Sequence, residues 1–393
     1  MERIVMHIDV NSAFLSWSAV NLLNKGSALD IRTLPSIIGY KNSKRHGIVL
    51  AASIPAKKLG IKTPEPIYMA LKKCKDLIVV EPDYKLYNDM SNKFHSLINS
   101  YIPDFEKFSI DECFIEYGPV SKLYGEPIKF AKKLKDKIYE KYGFTVNIGI
   151  GNNKVLAKMA SDFEKPNKVH TLFLNEIETK MFPLPIKDLF GCGKKTCEVL
   201  ENMNIKTIGD LANYDKSTLI KRFKKQGLYL WEAANGINNN IVGEHKVIDT
   251  SLSKEVTLPF DTIDKDELYN ILGKLTSDVS FNLRRQRKYC SVVSVYIKYY
   301  DFSVKRKQKK YNRQFNTEDE IFKYVIDIFN MLWNGNPIRL IGVKLSSFSE
   351  NIESQLSLFD VESGKVNELQ EVLDNINNKY GKNTVHKIRL DKK

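Results

Sequence analysis

The sequence predicts a multidomain α+β protein, and three observations predict it. The 393 residues exceed what one hydrophobic core usually organises, so roughly two to four domains are expected. Short β-branched apolar runs alternate with stretches of helical spacing through the first 170 residues or so, as in a sheet with helices packed on it. A largely helical region then intervenes before a second α/β-like unit begins.

The elements follow in order. Residues 4–9 (IVMHID) form a short apolar run ending at a carboxylate, which favours a buried strand. After a Gly/Pro-punctuated region to about residue 75, residues 76–82 (DLIVVEP) read as another strand and 83–101 as a helix. Residues 105–117 read as two strands joined by a tight turn. Residues 129–142 alternate Lys with apolar residues at helical spacing, as a solvated amphipathic helix does. A strand at 144–150 (FTVNIGI) is followed by a helix from about 153 to 163, and Lys165-Pro166-Asn167 breaks the pattern. Residues 183–236 look helical, with turns at 191–193 and 205–206, and 235–240 (NGINNN) makes a plausible linker. In the second unit, strands fall near 289–302 and 337–348, with helical spacing over 264–284 and 317–333. Beyond 349 the chain is polar, apart from one apolar cluster at 355–359.

Composition narrows the function classes. Apolar content of 42% and charged content of 27% are globular values, which exclude wholesale disorder. Sixty-one Lys+Arg against 47 Asp+Glu leave +14, a surplus that suggests an anionic partner, either nucleic acid or an acidic membrane surface. The longest stretch without a charged residue, 10–24, holds three Asn and three Ser, so a membrane span is not expected. Glu2, Arg3 and Asp9 argue against a secretory signal. Five scattered cysteines without C-x-x-C spacing read as reduced thiols of a cytoplasmic protein.

The chemistry concentrates in carboxylates. Asp9 ends one strand, and Asp111-Glu112 sits in the turn between two others, all with apolar neighbours. Three acids gathered at strand ends would repel one another unless a divalent cation neutralised them. Mg2+ suits such a site, taking a few carboxylates, waters and phosphate oxygens. Two such ions about 4 Å apart can clamp the attacking and leaving oxygens of phosphoryl transfer. The competing reading is that the acids cap hairpins.

Three stretches decide between these readings: His7-Ile8-Asp9-Val10-Asn11-Ser12-Ala13-Phe14, Ser109-Ile110-Asp111-Glu112-Cys113-Phe114, and Gly149-Ile150-Gly151-Asn152-Asn153-Lys154-Val155-Leu156-Ala157-Lys158. In order and spacing they resemble the Y-family (translesion) DNA polymerases, in particular the bacterial polymerase IV and V branches. The resemblance implies a right-hand architecture: palm 1–24 and 77–170, fingers 25–76, thumb 171–240, little finger 241–350 and a tail 351–393. It implies that Asp9, Asp111, Glu112 and the Val10 carbonyl hold two Mg2+ (Mn2+ may replace them), with Glu112 the active-site acid. Phe14 matches the steric gate against a ribose 2′-OH, and Lys165 matches a lysine on the incoming triphosphate. The usual fingers motif Ser-Tyr-Glu-Ala-Arg is here Ser53-Ile54-Pro55-Ala56-Lys57, so Lys57 (or Lys58) with Ser53 must take over the phosphate contact, as a point charge in place of a bidentate fork.

DNA-holding features follow the same resemblance. Gly191, Gly193, Lys194 and Lys195 resemble a helix-hairpin-helix turn, whose backbone N–H groups would face a phosphate without reading sequence. A P-loop fails there, because Asp188 and Lys195 occupy the places of its first Gly and its Ser/Thr. Between Arg284 and Arg313 lie eleven Lys/Arg and one acid, and the little finger of the family lays such a surface along the duplex; Arg284, Arg285, Arg287 and Lys288 are the expected contacts. Gln355, Leu356, Ser357, Leu358 and Phe359 resemble the bacterial sliding-clamp-binding motif. The expected partners are therefore primer-template DNA, dNTP and the clamp, with the polymerase itself a monomer in the nucleoid and no exonuclease motif for proofreading. A nucleotide cyclase would share the carboxylates but not the DNA-holding features. A non-catalytic relative would have lost an acid.

Overall fold

The computed structural model describes residues 3–41, 47–243, 249–350, 372–376 and 379–380. The chain divides into two units, Met1–Lys246 and Val247–Lys393.

The main sheet of the first unit is built around β1, Val5–Val10, buried along its whole length. The other strands are β2 (Ser36–Ile38), β3 (Ala51–Ala52), β4 (Ile78–Val80), β5 (Phe105–Lys107), β6 (Glu112–Glu116), β7 (Val146–Gly151) and β8 (Val169–Leu172). The main sheet runs β5-β6-β1-β7-β8, with β1 antiparallel to β6 and β7 and β8 parallel to β7. Strand alternation sends Met6, Ile8 and Val10 into a core shared with residues of helices Ala13–Asn24, Tyr84–Tyr101 and Pro127–Tyr142. It sends His7 and Asp9 to the opposite face.

That second face is covered by helix Lys154–Asp162. The approach is close enough that a Cβ on Gly149 would stand 2.0 Å from the Ala157 carbonyl oxygen, so this strand position admits only glycine. The expected break at residue 165 is a cis Lys165–Pro166 peptide, after which the chain returns to the sheet as β8. The strand expected over 76–82 forms as β4, but it pairs with β2 in a small sheet β3-β2-β4 and not with the main sheet. The helical stretch comprises Lys194–Asn202, Ile208–Ala212, Lys216–Phe223 and Lys225–Ala234 around their own core.

The second unit is one antiparallel sheet of β9 (Ser251–Thr262), β10 (Tyr289–Tyr299), β11 (Val304–Phe315) and β12 (Ile338–Ser349), in the order β11-β10-β12-β9. Helices Lys265–Arg285 and Glu318–Leu332 cover one face and share its core. Sequence patterning indicated β10 and β12 but neither edge strand. No helix among the described residues is long and apolar enough to cross a membrane.

Candidate active site

Strand register assembles the carboxylates. Asp9 is paired with Glu112 on β6 and with Asn147 on β7, so all three stand on the face covered by helix Lys154–Asp162. The Val10 N–H donates to the Asp111 carbonyl at 3.1 Å, closing the β1 end over the Asp111 turn. Asp9, Val10, Phe14, Ser53, Lys57, Asp111 and Lys165 line one cavity of about 940 Å³. Glu112 and Lys58 are not part of that lining.

Each carboxylate already has a partner. Lys165 Nζ bonds Asp9 Oδ2 and lies 2.8 Å from Asp162 Oδ1. Ser109 Oγ donates to Asp111 Oδ1 at 2.7 Å. Lys158 Nζ donates to Glu112 Oε1 at 3.1 Å. Burial pushes the Asp9 carboxyl up despite Lys165, and it pushes Asp111 up despite Ser109. Burial acts the same way on Glu112, but the Lys158 ammonium bonded to it outweighs burial and holds this acid down at about 2. His7 Nε2 stands 3.5 Å from Glu112 Oε2 and makes no hydrogen bond. Ser161 Oγ donates to the Lys158 carbonyl, so His7 Nδ1 must be the donor in its 2.8 Å contact with Ser161.

No three His, Cys, Asp or Glu side chains among the described residues converge to hold an ion as they stand, and the two lysines and Ser109 engage the acids singly. The donor chemistry nevertheless fits a hard divalent cation: oxygen ligands only, two of them with carboxyls raised by incompletely offset burial.

Other expected residues fall variously. Phe14 follows Ser12, which sits in the left-handed region at φ 48, and its ring stacks on Tyr87 with centroids 4.3 Å apart. Lys57 Nζ reaches Ser12 Oγ at 3.1 Å, its pKa lowered first by burial and then by Lys165. The Ser53 hydroxyl is committed to the fold: it donates to Leu34 O at 2.7 Å and caps the helix Ile54–Lys58 through Ala56 N. Gly191 and Gly193 shape the entry to helix Lys194–Asn202, with Lys194 and Lys195 exposed beside them. In the second unit Arg285 and Arg287 are exposed, whereas Arg284 is engaged by Asp374 and by the Asn316 carbonyl at 3.0 Å. Lys288 lies 5.6 Å over the Phe348 ring. Gln355, Leu356, Ser357, Leu358 and Phe359 lie outside the described residues.

Sequence reasoning missed the supports. Asn147, fully buried, accepts from Asn11 Nδ2 at 3.0 Å and donates to Ser161 O and Glu164 O, while Asn11 Oδ1 accepts the Asn167 N–H at 2.9 Å. These bonds fix the Lys165 loop against β1. The available signal was an Asn inside an otherwise apolar strand, and a lysine, Lys158, on a helix whose neighbours are all buried.

Comparison with known proteins agrees with this arrangement. The impB/mucB/samB family model matches residues 8–162, and the model of that family's C-terminal domain matches 249–358. The DNA polymerase IV of Clostridium acetobutylicum is 42% identical over 387 residues, covering 98% of this chain and 97% of that protein. The DNA polymerase IV of Clostridium kluyveri is 32% identical, covering 100% and 99%, and the DNA polymerase IV 1 of Bacillus subtilis is 30% identical, covering 98% and 92%. A solved Y-family DNA polymerase chimera superposes with a TM-score of 0.76 at 25% identity, covering 88% of this chain and 100% of its own. With the acids on adjacent strands, a cation-lined cavity beside them and relatives matched along their whole length, the chain belongs to the impB/mucB/samB family of Y-family DNA polymerases and is a DNA-directed DNA polymerase.

Proposed function

We propose that the enzyme extends a primer 3′-OH opposite damaged template bases by metal-assisted phosphoryl transfer, without proofreading. The observation that carries this reading is the cavity in which Asp9, Asp111, Phe14, Lys57 and Lys165 meet. Asp9, Asp111, Glu112 and the Val10 carbonyl are the oxygen donors for two Mg2+ (or Mn2+), which when bound supply Lewis-acid stabilisation of the transferring phosphoryl group. Lys165 and Lys57 offer point charges to a triphosphate, and Ile54 adds no donor. Glu112, held at about 2, is ionised throughout the neutral range. Phe14, clamped by Tyr87, takes the space beside the sugar.

DNA is held by the Gly191–Gly193 hairpin with Lys194 and Lys195, and by the open face of the second unit's sheet. On that face the Tyr296 ring lies across Gly342, where a Cβ would meet it at 2.2 Å, and Arg306 is the register partner of Tyr296 on β11. Such contacts neutralise phosphates without reading bases. Residues 355–359 are proposed as the ligand of a sliding clamp.

Primer extension over undamaged and abasic templates tests the assignment. The parent should extend both, and Asp111→Asn should abolish extension while DNA affinity stays close to the parent's, since a missing ligand removes transition-state stabilisation and leaves phosphate contacts in place. Extension by Asp111→Asn at the parent's rate would overturn it.

A further inference from the structure

The thumb-like helical region carries a feature that polymerisation does not use. Cys192 closes the Gly191–Gly193 hairpin and Cys197 lies in the first turns of the helix that the hairpin opens. Their sulfurs are 3.2 Å apart, and Cys197 Sγ also lies 3.5 Å from the Cys192 carbonyl. Both are nearly enclosed, at 9% and 5% exposure. The other three cysteines, Cys74, Cys113 and Cys290, are free thiols, and Cys113 and Cys290 are fully buried. A buried cysteine commonly serves as a small apolar filler. Two sulfurs aimed at each other across the N-cap of one helix are more than that, because oxidation can join them without any other part of the chain moving far.

We propose that Cys192 and Cys197 form a reversible dithiol–disulfide couple built into the hairpin. With hydrogen peroxide as oxidant, both S–H bonds and the O–O bond break, one S–S bond and two molecules of water form, and the two sulfurs give up the two electrons that the peroxide accepts. A small-molecule dithiol reverses the step and is itself oxidised to its disulfide. A soft-metal role is disfavoured, since no third His, Cys, Asp or Glu among the described residues joins the pair. Burial and the neighbouring thiol push Cys192 up to about 12, so the reduced pair stays protonated at neutral pH and reacts slowly with mild oxidants.

The position gives the couple a consequence. A disulfide has its sulfurs about 2.05 Å apart, so oxidation draws Cys192 toward the helix by roughly 1 Å. Cys192 is covalently followed by Gly193, the N-cap of helix Lys194–Asn202, where Cys197 N–H already bonds the Gly193 carbonyl at 3.0 Å. The outer rim of the hairpin, with its N–H groups, is therefore reset on oxidation. On the reading that this rim grips a DNA phosphate, the oxidised enzyme should hold primer-template several-fold more weakly.

The experiment uses the full chain, treated with hydrogen peroxide or diamide, alkylated under denaturing conditions and digested. The expected result is a peptide lighter by about 2 Da linking Cys192 to Cys197, restored by dithiothreitol, while Cys113 and Cys290 remain alkylated. Cys192→Ser and Cys197→Ala, each checked for folding by thermal melting, should lose the linkage. Recovery of Cys192 and Cys197 as separate thiols or separate sulfinic acids would overturn the proposal. DNA affinity is measured on the same samples. A linkage that forms with affinity unchanged upholds the couple and removes the hairpin from the DNA-gripping surface, so the two readings fail separately.

Discussion

Phe14, proposed as the gate against a ribose, is held between two tyrosines. Its ring is parallel to Tyr87 within 7°, and Tyr84 meets it edge-on at 6.2 Å, so it cannot swing away without breaking two aromatic contacts. Phe14→Ala should therefore open a pocket beside the sugar and raise ribonucleotide incorporation by an order of magnitude or more, read as the ratio of kcat/KM for ribo- and deoxynucleotides. An unchanged ratio would assign the gate to another residue. The acids obey a different balance. An acid raised in the folded state costs stability once pH exceeds its unfolded value, as for Asp9 and Asp111. An acid depressed in the folded state, such as Glu112, stabilises above its unfolded value of 4.5, and this contribution is lost as pH falls toward about 2. The Asp111→Asn variant should accordingly melt no lower than the parent in the absence of divalent cation. The words around Asp9, Asp111 and Glu112 were legible in the sequence because the site is built from contiguous strand ends. Lys158 and His7 were not, since their contacts with Glu112 exist only after the sheet and its covering helix have come together.

At the level of elements, the sequence showed strands where apolar residues are buried and hid them where they are not. β10 and β12 are central and carry Val293, Val295, Ile297, Ile341 and Val343 at no exposure. β9 and β11 are the two edges, and β11 reads VKRKQKKYNRQF, a basic loop by composition. Only pairing with β10 over Lys305–Ile297 through Lys310–Val292 makes it a strand. The basic run that looked like a flank of β10 is therefore a second strand presenting its cations in register. This adds β11 to the expected phosphate contacts. Replacing Arg306, Lys307, Lys309 and Lys310 by Ala should weaken DNA binding and flatten the slope of log K against log[salt] by roughly 0.9 for each duplex phosphate left without its cation. Fluorescence anisotropy across a salt series measures it, and a parallel slope would mean these cations face only solvent.

For the whole molecule, the fold class was legible because each unit keeps its own hydrophobic pattern, while the pairing of β4 with β2 was not, because a short apolar run does not name its neighbour. The clamp proposal belongs to this scale as well. A short apolar peptide on a polar tail would bind with micromolar-range affinity, about −8 kcal/mol, and act by raising local concentration on DNA. Loading a clamp on primer-template should stimulate the parent, and Leu358→Ala with Phe359→Ala should abolish the stimulation while leaving clamp-independent extension intact; equal stimulation of both would refute the motif. A last consequence follows from β11 being an edge of the sheet among the described residues. An open strand with unpaired N–H and C=O groups is a template on which a second copy could add its own strand, the first step of edge-to-edge aggregation. Residues 301–310 are all exposed, and the six Lys and Arg of β11 would meet the same six charges on any identical strand brought alongside. This edge is thus self-repelling, which keeps it from fibrous association and leaves it open to a polyanion.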